Sequence, residues 1–229
     1  MKRFVFYGCS FVVSMSLICN CSDEVARENL LGAWEPFLAQ PVDMCWESSG
    51  PITVSDFSIT TPELAVLATQ YANLFFPEKV RSINFTKDDK LEVTYFGDNA
   101  YPTTEVFGTY RVISPSKLRF SPDVDKLLGG VDGINSLTLE GMKIMAKVGI
   151  LVRYYFIGVN TREVRFYLDT ETLTETKFLF PLLAMAILGN DANDPTTKSV
   201  LESVPAQLDK TSKIEIGFNY QKPYVSTSK

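Results

Sequence analysis

The sequence predicts a mainly β domain with inserted helices, in which about eight or nine short strands form an antiparallel barrel or sandwich. Hydrophobic residues alternate along successive segments that are joined by short turns, and this pattern is typical of β-hairpins. Stretches with helical spacing lie between the hairpins. No internal repeat with a period of about 20–50 residues is evident, which argues against propellers and solenoids.

The chain begins with a short basic segment and an apolar run. Lys2 and Arg3 precede apolar residues that extend from Phe4 to Ile18. This run has about fifteen residues, which fits a secretory signal and is shorter than the roughly twenty residues of a membrane-spanning helix. We therefore predict that residues 1–20 are a cleaved signal peptide.

The cysteines that follow this run indicate a lipid-attachment site. Ile18-Cys19-Asn20-Cys21 resembles the lipobox of bacterial lipoproteins, in which an aliphatic residue stands three positions before the acylated cysteine. Ile18 has that spacing to Cys21, whereas Ser16 would have it to Cys19. The resemblance implies that Cys21 carries the lipid. Residues 21–29 are polar and acidic, and we expect them to form the acylated tether.

Charge and cysteine content narrow the class of protein. The whole chain has 22 basic and 27 acidic residues, and loss of Lys2 and Arg3 with the signal leaves 20 against 27, a net charge of −7. This balance argues against a nucleic-acid partner, since binding phosphates needs clustered Lys and Arg. Cys45 has no second cysteine left for a disulfide, and we interpret it as a small buried or half-buried hydrophobic residue.

The absence of histidine excludes several kinds of active site. Ser-His-Asp triads, Cys-His dyads and His-ligated zinc or haem sites all need this residue. Carboxylate chemistry survives, with Glu163 and Asp169 as candidates at the two ends of a predicted strand. Asp191–Glu202 lacks the glycine of a calcium loop, and Gly129–Gly133 is not a nucleotide-binding motif. We therefore predict no catalytic residue, cofactor or metal site.

The predicted strands begin with Leu30–Glu35 and end with Ile214–Tyr220. Between them, three hairpins pair Val80–Thr86 with Leu91–Tyr95, Val106–Ile113 with Lys117–Phe120, and Leu151–Ile157 with Glu163–Leu168. Ile52–Thr60 is a less regular candidate strand. The stretch Pro41–Pro51, which contains Trp46, is predicted to be a loop.

Four helices are predicted between these strands. Thr61-Pro62-Glu63 has an N-cap residue, a proline at the first helical position and an acidic first turn, and predicts a helix that ends at Phe76-Pro77. The other helical patterns cover Leu137–Val148, Thr172–Leu188 and Thr196–Leu208.

Three short motifs resemble one family. Leu31-Gly32-Ala33-Trp34 resembles the Gly-x-Trp opening of lipocalin-like (calycin) barrels, in which the tryptophan closes the lower end of the barrel. Phe107-Gly108-Thr109-Tyr110 with Ser114-Pro115-Ser116-Lys117-Leu118 is similar to the central hairpins of small lipocalin-like lipoproteins. Cys21-Ser22-Asp23-Glu24 is similar to the acidic tag of surface-exposed Bacteroidetes lipoproteins. The chain thus resembles a Bacteroidetes lipocalin-like lipoprotein family of unknown function.

The resemblance implies an antiparallel lipocalin-like barrel of about eight strands, which would occupy residues 30–229 as a single domain. It also implies attachment to the outer membrane through lipid on Cys21, with the cell surface favoured over the periplasmic face.

Two functions follow as hypotheses. The first is a membrane-anchored, non-catalytic lipoprotein whose barrel, or a cavity between the barrel and its helices, holds a small apolar or amphipathic ligand. A cavity lined by aromatic residues would favour this function, and a packed interior would count against it. The alternative is an accessory protein- or glycan-interaction module of an outer-membrane complex, which an exposed Trp46 would favour. A carboxylate-based hydrolase ranks third, and the protein partner and oligomeric state stay open.

Overall fold

The computed structural model describes residues 23–54, 56–96, 101–128, 140, 142, 143, 146–159, 161–177 and 195–223. The strands in these residues are β1 (Gly32–Pro36), β2 (Val42–Ser48), β3 (Ile52–Val54), β4 (Phe57–Ile59), β5 (Val80–Phe85), β6 (Lys90–Phe96), β7 (Pro102–Ser114), β8 (Lys117–Pro122), β9 (Ile150–Ile157), β10 (Glu163–Leu168) and β11 (Thr211–Gln221). The helices are α1 (residues 23–30), α2 (Thr61–Lys79), α3 (Val124–Leu128), α4 (Thr170–Glu175) and α5 (Pro195–Leu208).

Eight of the described strands close into one antiparallel barrel. Their order is β1–β5–β6–β7–β8–β9–β10–β11, and β11 pairs back onto β1. The three predicted hairpins are present as β5–β6, β7–β8 and β9–β10. The predicted antiparallel barrel of about eight strands is therefore confirmed, and its closure leaves these strands without free edges.

The loop predicted for Pro41–Pro51 is wrong, because Val42–Ser48 form strand β2. This strand pairs with the part of β11 that β1 does not reach, so β1 and β2 follow one another along the same edge of β11. The outer edge of β2 meets α2, where the Asn73 amide accepts a hydrogen bond from the Val42 nitrogen at 2.8 Å and donates one to the Val42 oxygen at 2.9 Å. Helix α2 thus covers a strand edge that would otherwise be open.

The N-cap of α2 lies one residue before the predicted Thr61. Thr60 is the N-cap, and the Glu63 carboxylate accepts a hydrogen bond from the Thr60 nitrogen at 3.0 Å to complete a capping box. The helix continues through Pro77 to Lys79, so its predicted end is early.

The other helical predictions agree only in part with the described residues. Helix α5 matches the predicted Thr196–Leu208. Helix α4 starts two residues before the predicted Thr172–Leu188 and ends at Glu175 with Thr176 as its C-cap, so that prediction extends too far, and residues 178–194 lie outside the described part. Within the predicted helix Leu137–Val148, residues 140, 142, 143 and 146–148 are helical. The candidate strand Ile52–Thr60 is the small hairpin β3–β4.

Aromatic side chains fill the described part of the barrel interior. The ring of Phe166 lies 5.5 Å from that of Phe85 and 6.0 Å from those of Tyr154 and Tyr220, measured between centroids. Phe85 meets Tyr110 edge to face at 4.8 Å. Rings at these separations are in contact, so this part of the interior is a packed core.

A second core lies between the β2–β11 side of the sheet and the helices. Its buried members are Trp46, Ile52, Ile59, Ala65, Leu173, Val204, Leu208 and Ile214. Trp46 is only 5% exposed, and its indole nitrogen donates a hydrogen bond to the Thr211 hydroxyl at 2.8 Å. Burial of these apolar side chains attaches the helices to the barrel.

Helix α1 closes one end of the barrel, which we call the α1 end. Residues 23–29, predicted from sequence to form the tether, are helical, Ala26 is buried, and Leu30 belongs to the barrel core. The fully buried Trp34 donates a hydrogen bond from its indole nitrogen to the Leu30 oxygen at 2.7 Å. The Lys222 ammonium group lies 4.9 Å from the centroid of the Trp34 ring. Trp34 is thus packed between α1 and the chain that follows β11 at this end of the barrel.

Candidate functional site

A pocket of about 310 Å³ lies on the outer face of the β7–β8 hairpin. This volume is at the lower end of the range for small-molecule sites. Strands β7 and β8 and the chain just before β9 supply its wall. The lining residues are Thr109, Tyr110, Arg111, Arg119, Ser121, Lys147 and Val148.

The register of the hairpin places two arginines side by side in this wall. Arg111 on β7 pairs with Arg119 on β8, and Thr109 pairs with Ser121 in the same way. Side chains of directly paired residues lie about 5 Å apart on one face of a sheet. Because Tyr110 between them is buried in the barrel core, these four side chains point to the outside.

Glycine at position 149 gives the pocket its shape. Gly149 has a φ of +81°, a left-handed conformation that glycine adopts at low cost. A Cβ atom there would lie 2.6 Å from the Arg119 Cγ and 2.9 Å from the Ser121 hydroxyl oxygen. The absence of a side chain therefore lets Arg119 lie against the chain before β9, where its guanidinium donates a hydrogen bond to the Val148 oxygen at 2.8 Å.

The cations of this pocket lack carboxylate partners in the described part of the chain. No Asp or Glu oxygen from those residues lies within 4.0 Å of Arg111, Arg119 or Lys147. The Nε atom of Arg119 is buried and has no hydrogen-bond partner. A buried donor without a partner is costly, and guanidinium groups bind phosphate and carboxylate strongly. We name these three residues the cationic triad, and its chemistry suits an anionic group.

A contrasting arginine lies on the outer face of β10. Arg165 donates hydrogen bonds to Asp43 at 3.2 Å and to Glu215 at 2.5 Å, and so joins β10 to β2 and β11. Burial opposes the charge of Arg165, but the hydrogen bonds to these two carboxylates outweigh burial and raise its pKa. Burial alone would raise the pKa of Asp43, and the hydrogen bonds from Arg165 and Asn219 outweigh it and lower that pKa.

The two carboxylates predicted as hydrolase candidates do not come together. Glu163 starts β10 and Asp169 follows its end, a separation of roughly 20 Å at about 3.3 Å per residue. Glycosidase carboxyl groups lie about 5–10 Å apart. Asp169 instead caps α4 through the Thr172 nitrogen at 3.1 Å and pairs with Arg153. Burial tends to raise its pKa, but the hydrogen bonds from Thr172 and Arg153 outweigh burial and lower it.

The remaining candidate positions fall into two groups. Cys21, the Gly129–Gly133 segment and Asp191 lie outside the described residues. Cys45 is a free, half-buried cysteine on β2. Among the residues that the structure describes, no three His, Cys, Asp or Glu side chains form a group suited to a metal ion. None of the described helices has the length and hydropathy needed to cross a membrane.

Sequence reasoning missed the pocket, although one signal for it was available. The predicted hairpin, with its turn at Ser114-Pro115-Ser116, already places Arg111 opposite Arg119. Like charges in directly opposed positions destabilise a sheet, so such a pair points to a role other than stability. Lys147 comes from a distant part of the chain, and no sequence pattern indicates its place.

The chain was compared with protein-family models, curated proteins and solved structures. No protein-family model, curated protein or solved structure matches this chain.

Proposed function

We propose that the protein is a membrane-anchored, non-catalytic lipoprotein that binds an amphipathic ligand through the ligand's anionic group. The observation that carries this proposal is the cationic triad, Arg111, Arg119 and Lys147, which lines a pocket without a neutralising carboxylate in the described residues. The predicted barrel interior is a less favourable location, because aromatic rings pack across its described part.

The charge balance of the chain strengthens this assignment. Without the signal peptide the chain has a net charge of −7, so acidic residues are abundant. Arg165, Arg153 and Arg27 all have carboxylate partners. The unpaired state of the triad is therefore not explained by a shortage of acidic residues. An anionic ligand group would relieve the repulsion between Arg111 and Arg119 and provide an acceptor for the Arg119 Nε–H.

Apolar surface beside the pocket favours a ligand with an apolar part. Val148 lines the pocket and is 55% exposed. Ile113, two residues beyond Arg111 on β7, is 37% exposed. A short alkyl chain that leaves the pocket would cover these side chains, and each buried methylene contributes about 0.8 kcal/mol.

Membrane attachment is proposed to depend on Cys21. We expect Cys21→Ala to leave the protein uncleaved or unanchored, because two or more acyl chains are needed for stable anchoring. We expect Cys19→Ala, the matched control, to remain anchored. Membrane fractionation after metabolic labelling with a fatty-acid analogue checks both. Label on the Cys21→Ala protein, or a cleaved form of it in the membrane fraction, would contradict the assignment.

The ligand itself is best sought in the natural membrane. Native mass spectrometry of the full-length protein purified from that membrane should release an anionic amphiphile from the wild type. The double variant Arg111→Gln/Arg119→Gln should lose it, whereas Arg81→Gln, an exposed arginine on β5, should retain it. Retention of the same ligand by the double variant would place the binding site elsewhere.

The accessory interaction module ranks second. This function would be favoured by an exposed Trp46, but this side chain is buried in the second core. The cationic triad offers a more specific chemical feature than any described surface near Trp46.

A further inference from the structure

We propose that the α1 end of the barrel rests on the lipid bilayer, with Val25 and Val159 in the membrane interface. This inference relies on the lipid attachment at Cys21 that the proposed function includes. It adds an orientation of the domain and names the surface that contacts the membrane.

The attachment point is very close to the barrel. The first described residue of α1 is Asp23, two residues after Cys21. Consecutive Cα atoms are about 3.8 Å apart, so the Cys21 Cα lies within about 8 Å of the Cα of Asp23. Acyl chains on Cys21 would enter the bilayer and bring Asp23 to the headgroup region.

Helix α1 does not act as a free extension of the tether, because it is fixed to the barrel end. Arg27 donates a hydrogen bond to the Asp89 carboxylate at 2.9 Å in the β5–β6 turn. Leu30 is fully buried. Burial raises the pKa of Tyr154 on β9, and the negative charge of Asp23 adds to this rise. The helix thus holds the whole barrel end near the lipid.

Apolar side chains at this same end point away from the protein. Val25 on α1 is 56% exposed. Val159, in the β9–β10 turn, has the full exposure of an isolated residue, and Ile157 before it is 37% exposed. The turn belongs to the α1 end because the Arg162 oxygen accepts a hydrogen bond from the nitrogen of Lys222, whose side chain lies over Trp34.

The occupant of this surface is a bilayer, since the chain places a lipidated residue beside it. Val159 is fully exposed at the tip of its turn. Entry of its apolar side chain into the interface lowers the free energy. Exposed charged groups of both signs lie at the same end, Lys87 and Asp88 in the β5–β6 turn and Glu24 on α1. We therefore expect contact with zwitterionic as well as anionic lipid.

Fluorescence quenching of single-cysteine variants tests the orientation. The full chain with Cys45→Ser carries Val25→Cys, Val159→Cys or, as the control, Leu38→Cys, and a polarity-sensitive fluorophore is attached in isolated membranes. Leu38 is 77% exposed in the turn between β1 and β2, away from the α1 end. We expect a blue-shifted emission and a severalfold lower quenching constant for iodide at positions 25 and 159 than at position 38.

Equal quenching at all three positions in membrane-bound protein would overturn the orientation and leave the lipid anchor intact. Recovery of the protein in the soluble fraction would overturn the anchor of the proposed function and this orientation with it.

Discussion

Two arginine clusters on the outside of the same barrel have opposite surroundings. Arg165 lies between Asp43 and Glu215, and its side chain is only 12% exposed. Arg111 and Arg119 oppose each other across β7 and β8, with Lys147 nearby and no described carboxylate within 4.0 Å. The first cluster has the contacts of a structural ion pair that joins three strands. The second has repulsion within the fold, which an anionic ligand would offset.

We call Arg165, Asp43 and Glu215 the paired cluster, and Arg111, Arg119 and Lys147 the unpaired cluster. The largest effect on stability is expected when the arginine of the paired cluster is replaced. Arg165→Leu would leave Asp43 and Glu215 half-buried without their cation, and we expect it to lower the free energy of unfolding by about 2–4 kcal/mol, since this pair is partly screened by solvent. Arg111→Leu, the matched control in the unpaired cluster, should change it by less than about 0.5 kcal/mol, because Arg111 is exposed. Urea unfolding followed by tryptophan fluorescence measures both. Equal losses from the two variants would remove the distinction between the clusters.

A smaller effect is expected from filling the space beside the unpaired cluster. Gly149→Ala places a methyl group in a left-handed position against Arg119, and we expect a stability loss of about 1–2 kcal/mol with severalfold weaker anion binding. Gly50→Ala has a similar φ of +77° with nothing within 4 Å of the new Cβ, so it should lose stability alone. Thermal unfolding and a binding titration of both variants separate backbone strain from damage to the pocket. Unchanged binding in Gly149→Ala would argue against a role of Arg119 in the site.

Acid should affect the paired cluster and spare the unpaired one. The folded-state pKa of Asp43 lies below its ordinary value of 3.8, so its contribution to stability is present above that value and is lost as the pH falls through the folded pKa. We expect the urea midpoint to fall between about pH 5 and about pH 3, and to fall less in Asp43→Asn. Arg111→Gln/Arg119→Gln should follow the wild-type profile. A wild-type pH profile in Asp43→Asn would show that other carboxylates control the acid response.

The barrel strands could be predicted from sequence, because alternating hydrophobic residues and short turns are local features of the chain. The β5–β6, β7–β8 and β9–β10 hairpins each carry both signals. Strand β2 was missed although Val42, Met44 and Trp46 alternate, because Pro41 and the Ser-Ser-Gly-Pro sequence before Ile52 indicate a loop. Its partner strand β11 lies far along the chain, and no local pattern reveals such a pairing.

The candidate surfaces were harder to predict from sequence for a similar reason. Arg111 and Arg119 lie in one hairpin, so their pairing could be predicted from sequence. Lys147 and Gly149 come close to them only in the tertiary fold. Residues 23–30 also make tertiary contacts, since Leu30 belongs to the barrel core and Arg27 binds Asp89 in the β5–β6 turn. Composition alone made that segment resemble a polar tether.

The most direct test of the central claim is a calorimetric titration of the full-length protein in phosphatidylcholine nanodiscs with octyl phosphate, corrected for empty nanodiscs. Octyl glucoside serves as the uncharged ligand with the same alkyl chain. We expect saturable binding of octyl phosphate that weakens about tenfold, a loss of about 1.4 kcal/mol, in Arg111→Gln/Arg119→Gln and is unchanged in Arg81→Gln. Octyl glucoside should bind weakly to all three proteins. Equal binding of the two ligands, or full octyl phosphate binding by the double variant, would contradict an anion site at the cationic triad.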